Sequence, residues 1–412
     1  MNTPLRLAVL DIVPGLLVDC AFYLDLFALG FLVERAGGSS LDVSLVFGVY
    51  TLAYALLAPL LGRASDRGDR RLVLRASSLL FAAIPAGLAA TLLVEQGAGA
   101  GTASVSDRLG IGPLPLIYAA SGLFALSNAL FWPALQARIG DRERDPEARG
   151  RAIRRFNVGW TVGKALGFLV SGAVFQYAPA ACLPLGAVLG GAVLALLLAV
   201  DRDLPSGAAP DPAPEAHAPI EGIPQVLKRA YLLAGLATNF AVWGSLSTLQ
   251  SLAPKLAESL ALSPSQAGAL VCAALSAQGL VFFGLGGSRA WAYRPWTLVA
   301  SAPACAAGLA LLLAAQGFAL AFLGALLVGG AQAITYAASV FYALDYDERR
   351  GLRTGIHEAN LALAGAVPIL GGWAADRLAW LRAPLLIVLL PCLAVALATA
   401  ILLPRASAAR DS

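Results

Sequence analysis

The chain has 412 residues, 58% of them hydrophobic and 13% charged, with a formal net charge of +4. Ordinary globular domains carry about 25% charged residues, and the mean hydropathy here is +0.74. These values exclude a disordered chain, a disulfide scaffold and a nucleic-acid binder, and they argue strongly against a soluble enzyme.

What remains is a polytopic α-helical membrane protein, which requires apolar blocks of about 20 residues. Twelve such blocks follow one another, at 8–33, 43–61, 72–95, 114–137, 153–176, 180–200, 229–252, 266–286, 297–315, 317–343, 353–375 and 383–403. Most have helix length for a ~30 Å hydrocarbon core. The ~10-residue alternating segments of outer-membrane strands do not occur. The first block is interrupted by Asp11 and Asp19 and is followed by no cleavage site, so it reads as a retained helix, not a signal peptide.

Lys and Arg set the orientation. With the N-terminus in the cytoplasm, 23 basic residues fall in cytoplasmic segments and 5 on the other side, while Lys164 falls inside a block. That split predicts both termini in the cytoplasm, and a bacterial-type inner membrane as the location. Between the sixth and seventh blocks, residues 201–227 turn rich in Pro, Ala and acid, which predicts a flexible or extended cytoplasmic linker. The expected domains are therefore 1–200, the linker 201–227, and 228–412, with six helices in each half.

Three acids stand on the first block, Asp11, Asp19 and Asp25. An acid at bilayer depth costs roughly 2.5–3.5 kcal/mol. At ~100° per residue, Asp19 and Asp25 diverge by about 120° and need not face one cavity. In the fifth block Lys164 is the one basic residue placed deep in the membrane, and an unpaired ammonium there calls for an acidic partner. Asp19 has the most similar depth. The pair is either a fixed structural ion pair or a site that exchanges protons or substrate. On the eleventh block, His357 and Glu358 diverge by ~100°, and Glu358 is the second protonation candidate.

The five cysteines stand alone, with no CxxC or Cys/His partner, so no metal site is expected. No cofactor is expected either, since nucleotide loops and catalytic constellations are missing from the sequence.

Between the second and third blocks the chain reads Gly62-Arg-Ala-Ser65-Asp66-Arg67-Gly68-Asp69-Arg70-Arg71. This resembles the loop signature of the major facilitator superfamily, Gly-x-x-x-Asp-Arg-x-Gly-Arg-Arg. Gly62, Asp66, Arg67, Arg70 and Arg71 match, while Asp69 stands at the place of the second Gly. The resemblance covers the whole chain. It implies an all-α membrane protein of 12 transmembrane helices, arranged as two six-helix bundles with a pseudo-two-fold repeat. It also implies that the loop Asp latches the bundles through a helix terminus and Arg partners; otherwise the loop's arginines serve topology alone. The equivalent loop of the second half, 286–294, lacks the acid.

The fifth block also looks like the antiporter signature of the drug–proton exchangers, Gly-x-x-x-Gly-Pro-x-x-Gly-Gly. Gly163, Gly167 and Gly172 match, with Phe168 and Ser171 as departures. Two hundred positions later the eleventh block retains Pro368, Gly371 and Gly372. Small residues four apart let helices approach closely, so plain packing explains them equally well. The fourth block lacks the intramembrane Arg of the drug exporters.

In this family helices 1, 4, 7 and 10 line the cavity. Aromatic and amide residues recur on those blocks, and the cavity candidates among them are Tyr23, Asn128, Trp132, Asn239, Trp243, Gln332 and Tyr336, a lining that suits an amphipathic organic solute; equally, they serve as core or interface residues.

The resulting expectation is a secondary transporter, not an enzyme. It would move a small organic solute by alternating access with proton-coupled efflux, working as a monomer in the bilayer with protons and solute as its partners. A proton-coupled nutrient symporter, such as one for sugars, or a facilitative uniporter is the alternative. A transport-dead receptor and a membrane-embedded transferase are the readings from other classes.

Overall fold

The computed structural model describes residues 3–67, 69–97, 112–142, 146–200, 223–285, 290–346 and 350–411. Among these the protein is all helical, with no strand. Twelve long helices follow the apolar blocks: α1 (Thr3–Arg35), α2 (Ser40–Arg67), α3 (Arg70–Gly97), α4 (Pro113–Arg142), α5 (Pro146–Tyr177), α6 (Cys182–Val200), α7 (Gln225–Ser251), α8 (Pro264–Leu285), α9 (Pro295–Ala314), α10 (Phe318–Asp345), α11 (Arg350–Leu378) and α12 (Ala383–Asp411). In hydrocarbon each backbone N–H and C=O must be satisfied within the segment, which selects helices for apolar runs of this length. Internal prolines at Pro14, Pro59, Pro85, Pro133, Pro303 and Pro368 are accommodated; membrane helices tolerate them because neighbouring groups re-satisfy the freed carbonyls.

Eleven of the described helices are long and apolar enough to cross a membrane. The other long helix, α11, has 29 residues, but its polar ends carry Arg350, Arg353, His357, Glu358, Asp376 and Arg377. A short helix, Ala253–Ser259, follows α7 after a break at Leu252, whose N–H still bonds the Thr248 carbonyl at 3.0 Å.

The chain divides into two compact units, one of Met1–Gly38 and Leu45–Ala216, the other of Ser39–Ser44 and His217–Ser412. In the first unit α1 packs on α5 and α6, and α3 packs on α4 and α6. In the second, α7 packs on α11 and α12, and α9 on α10 and α12. The same neighbour scheme thus recurs in both six-helix sets.

Candidate functional site

In the first unit the site is built on the seam between α1 and α5. A Cβ at Gly159 would stand 2.6 Å from the Ile12 carbonyl oxygen, and one at Gly167 would stand 2.8 Å from that of Cys20. A Cβ at Gly163 would overlap the Leu16 carbonyl. One turn on, the Ser171 hydroxyl donates to the Leu24 carbonyl at 2.7 Å. Positions 159, 163, 167 and 171 on α5 therefore face 12, 16, 20 and 24 on α1, each four apart. Small side chains at that spacing let two backbones meet. Gly172 is buried beside Ser171.

That close seam carries Lys164 to α1. Its ammonium lies 4.5 Å from the centre of the Tyr23 ring and within electrostatic reach of Asp19. Asp19 and Lys164 are both only 5% exposed. Cation and ring attract through the ring quadrupole, most strongly where water is excluded. Tyr23 in turn packs against Phe168 and Phe22.

Asp25 lies elsewhere. Its carboxyl presses on Gly186 of α6, fully buried, and neither oxygen has a hydrogen-bond partner. The helical angle between Asp19 and Asp25 thus separates them onto α5 and α6. Asn128 and Trp132 satisfy one another: the Trp132 indole N–H donates to Asn128 Oδ1 at 2.8 Å, and Asn128 Nδ2 donates to the Phe124 carbonyl at 3.0 Å.

In the second unit the predicted residues gather where α7, α10 and α11 cross. Trp243 stacks on Tyr336 with centroids 5.8 Å apart and planes at 28°. The Thr335 hydroxyl reaches Asn239 Oδ1 at 3.5 Å. His357 stands edge-on to Tyr336, its Nδ1 3.1 Å from the Ser339 hydroxyl. Asn239 and Gln332 are fully buried, yet Asn239 Nδ2 and both polar atoms of Gln332 have no partner. Glu358 is exposed and within electrostatic reach of Tyr336.

The sequence matches the family model of the Major Facilitator Superfamily over residues 15–367. The chain belongs to the major facilitator superfamily. Solved structures agree on the fold. A bacterial homologue of the human lysosomal transporter Spinster, inward-facing and unoccupied, is 16% identical with a TM-score of 0.63, and the match covers 100% of this chain and 97% of that one. A mutant of the nucleoside transporter NupG is 13% identical with a TM-score of 0.69, over 97% of this chain and 99% of that one. No curated protein matches the sequence significantly.

In this superfamily member the side chains of Asp66 and Arg67 lie outside the described residues. Gly62 packs on Pro133, a Cβ there standing 3.5 Å from that ring. Asp69, which stands where the signature has Gly, precedes the first residue of α3, and its Oδ1 accepts the Arg71 N–H at 2.9 Å. That is an N-cap arrangement, which keeps Arg70 and Arg71 in the first turn.

Sequence reasoning named the small residues of α11 but missed Asp376 beside them and a second cluster altogether. On α11, Gly372 approaches residues 40–44, where a Cβ would stand 2.5 Å from the Ser40 carbonyl oxygen; at Gly371 a Cβ would stand 2.9 Å from Pro384 Cβ. Below them Asp376 accepts the N–H groups of Ser40 at 2.8 Å and Leu41 at 2.9 Å, the first turn of α2. Pro368 is inside the same helix, one turn before Gly372.

The second cluster ties the start of α7, the loop before α9 and the end of α10 together. Lys228 pairs with Asp345 at 3.0 Å, both nearly buried, and also donates to the Asp345 carbonyl at 3.0 Å. Tyr293, from the loop before α9, donates to Asp345 Oδ2 at 2.6 Å and accepts from the Tyr231 hydroxyl on its own carbonyl at 2.9 Å. The loop that lacks an acid thus takes one from α10.

Proposed function

We propose that the chain is a secondary active transporter that moves a small organic solute through a bacterial-type cytoplasmic membrane by alternating access, coupled to protons in the direction of efflux. The observation that carries it is the Asp19–Lys164–Tyr23 cluster. An acid and an ammonium lie within electrostatic reach of one another inside two apolar helices, each under a tenth exposed, on a seam built from glycines. Charges so placed mark ion and proton pathways in membrane proteins. A carboxylate that pairs with Lys164 when ionised and releases it when protonated changes the polarity of its surroundings with each proton. Asp25 and Glu358 are the further proton sites, and Asp66 with Arg67, Arg70 and Arg71 forms the cytoplasmic latch. The chain acts as a monomer with both termini in the cytoplasm, and it performs transport, not catalysis.

Efflux rests on the likeness of α5 to the exchanger signature. Proton-driven uptake of a polar nutrient is the second reading, and the unpartnered amides of the second unit favour it, because a cavity for a lipophilic cation has little use for them.

The test is transport in proteoliposomes with a pH gradient imposed in either direction, with internal pH recorded by an entrapped dye. Exchange predicts that solute leaves the compartment that protons enter. Solute and protons moving the same way would replace efflux by symport. Solute flux indifferent to the gradient would end the proton-coupled reading.

A further inference from the structure

We propose that the crossing of α7, α10 and α11 binds a flat heteroaromatic group of the transported solute, one that carries hydrogen-bond donors and acceptors on its edge. The inference rests on the transport reading and names the chemistry of its solute.

Helical spacing puts the required groups on two facing surfaces. Asn239 and Trp243 stand four apart on α7, and Gln332 and Tyr336 stand four apart on α10, so each pair shares a face. The faces meet at two points: Trp243 against Tyr336, and Asn239 against Thr335. Gln332 therefore lies one turn from the aromatic stack, beside Asn239. His357 closes the end of the group on α11, its Nε2 without a partner.

Two properties of this cluster point to a ligand. The rings of Trp243 and Tyr336 are half-buried, so part of the stack stays open to another flat group. Beside them Gln332 and Asn239, 0% exposed, hold three unpartnered polar atoms, an oxygen and two nitrogens. Buried polar groups are almost always hydrogen-bonded, and three orphans within one crossing are costly unless something completes them. An amide offers an acceptor and a donor side by side, the complement of a ring nitrogen next to an exocyclic NH or carbonyl. In the first unit the equivalent amide is already used, since Asn128 is closed off by Trp132 and Phe124. Asn128 thus lacks the unpartnered amide edge that Gln332 and Asn239 present. Glu358 is the charged group within reach, acting on Tyr336 from the exposed side of α11.

The experiment measures binding to the purified full-length protein in detergent by thermal shift and by quenching of tryptophan fluorescence. The probes are adenosine, uridine, glucose and tetraphenylphosphonium. Adenosine or uridine is expected to raise the melting temperature by mass action. Gln332→Leu is expected to weaken that binding at least tenfold without lowering the melting temperature of the free protein, because it removes an unpartnered amide. Trp243→Phe, which keeps a ring, is expected to weaken it less. Three results would each overturn the proposal: no response to either nucleoside at millimolar concentration, tetraphenylphosphonium binding in their place, or nucleoside binding unchanged in Gln332→Leu. The transport reading fails separately, through nucleoside that binds at this site but is never carried across proteoliposomes.

Discussion

Gly163 of α5 lies directly against the backbone carbonyl of Leu16 on α1, so closely that a methyl group has no room. Without a hydrophobic force between helices in lipid, this kind of backbone contact is what holds two helices together. Gly163→Ala should lower stability by about 1–3 kcal/mol, the usual cost of overpacking, read by unfolding in SDS. It should also impair transport, because Lys164 is the next residue along. Gly191→Ala is the control: nothing lies within 4 Å of a Cβ there, so helix propensity makes that change neutral or stabilising. Equal behaviour of the two variants would remove the seam from the account.

Asp345 joins the start of α7 and the loop before α9 to the end of α10. Asp345→Ala leaves Lys228 buried and unpaired, and breaking a buried pair costs about 3–5 kcal/mol. Lys228→Met together with Asp345→Leu should recover most of that loss, since an apolar pair of similar volume is often neutral. The double-mutant cycle separates coupling from simple loss of packing; a coupling energy near zero would contradict the ion pair.

The same network makes a statement about pH. Burial, then its hydrogen bond to Asp345, pushes the Tyr293 hydroxyl well above its ordinary value. A group with its folded pKa raised contributes in full below its unfolded value, about 10 for tyrosine, and that contribution is lost as pH rises past it. Stability should therefore be insensitive to this residue between pH 6 and roughly 9. It should then fall more steeply in the native protein than in Tyr293→Phe. Parallel alkaline curves for the two proteins would show that Tyr293 does not titrate with unfolding.

Gly186 and Asp25 are matched in size. A methyl group at Gly186 would overlap the Asp25 carboxyl. Gly186→Ala should be destabilising by about 1–3 kcal/mol, and adding Asp25→Ala should relieve it by making room. If Asp25→Ala instead adds its own full loss, the acid is held by something other than this contact. Loss of transport in the single Asp25→Asn variant, with stability unchanged, would place Asp25 among the proton sites.

The fold was legible because lipid imposes a coarse code. Blocks of apolar residues become helices, and the boundaries move only where polar turns extend a helix into water, as in α2 and α12. Depth alone suggests Asp19 as the partner of Lys164; Gly159, Gly163 and Gly167 bring their helices into contact, which places the two charges within electrostatic reach. Other relationships have no such trace. Asp376 on the first turn of α2, and Tyr293 on Asp345, join residues 336 and 52 positions apart. Nothing in their local sequence encodes the partner. The difference between a satisfied Asn128 and an unsatisfied Asn239 is equally invisible, since both are single amides in apolar helices. Only three-dimensional neighbours decide which of the two is satisfied.

Asp19→Asn is the sharpest test of coupling. The substitution is nearly isosteric, so the seam and the Tyr23–Phe168 contact should survive, and so should solute binding in the second unit. Lys164 then keeps its charge without the acid, which should cost stability; Asp19→Asn with Lys164→Gln should restore it, because neither charge remains. Transport driven by a pH gradient should fall at least tenfold in both variants, about 1.4 kcal/mol or more in the barrier. Solute–solute exchange, which moves no net proton, should continue in both. That contrast separates loss of coupling from loss of the transport cycle, because a damaged fold would abolish both kinds of flux together. Full gradient-driven transport in the double variant would show that protons travel by another acid, with Glu358 the next to replace.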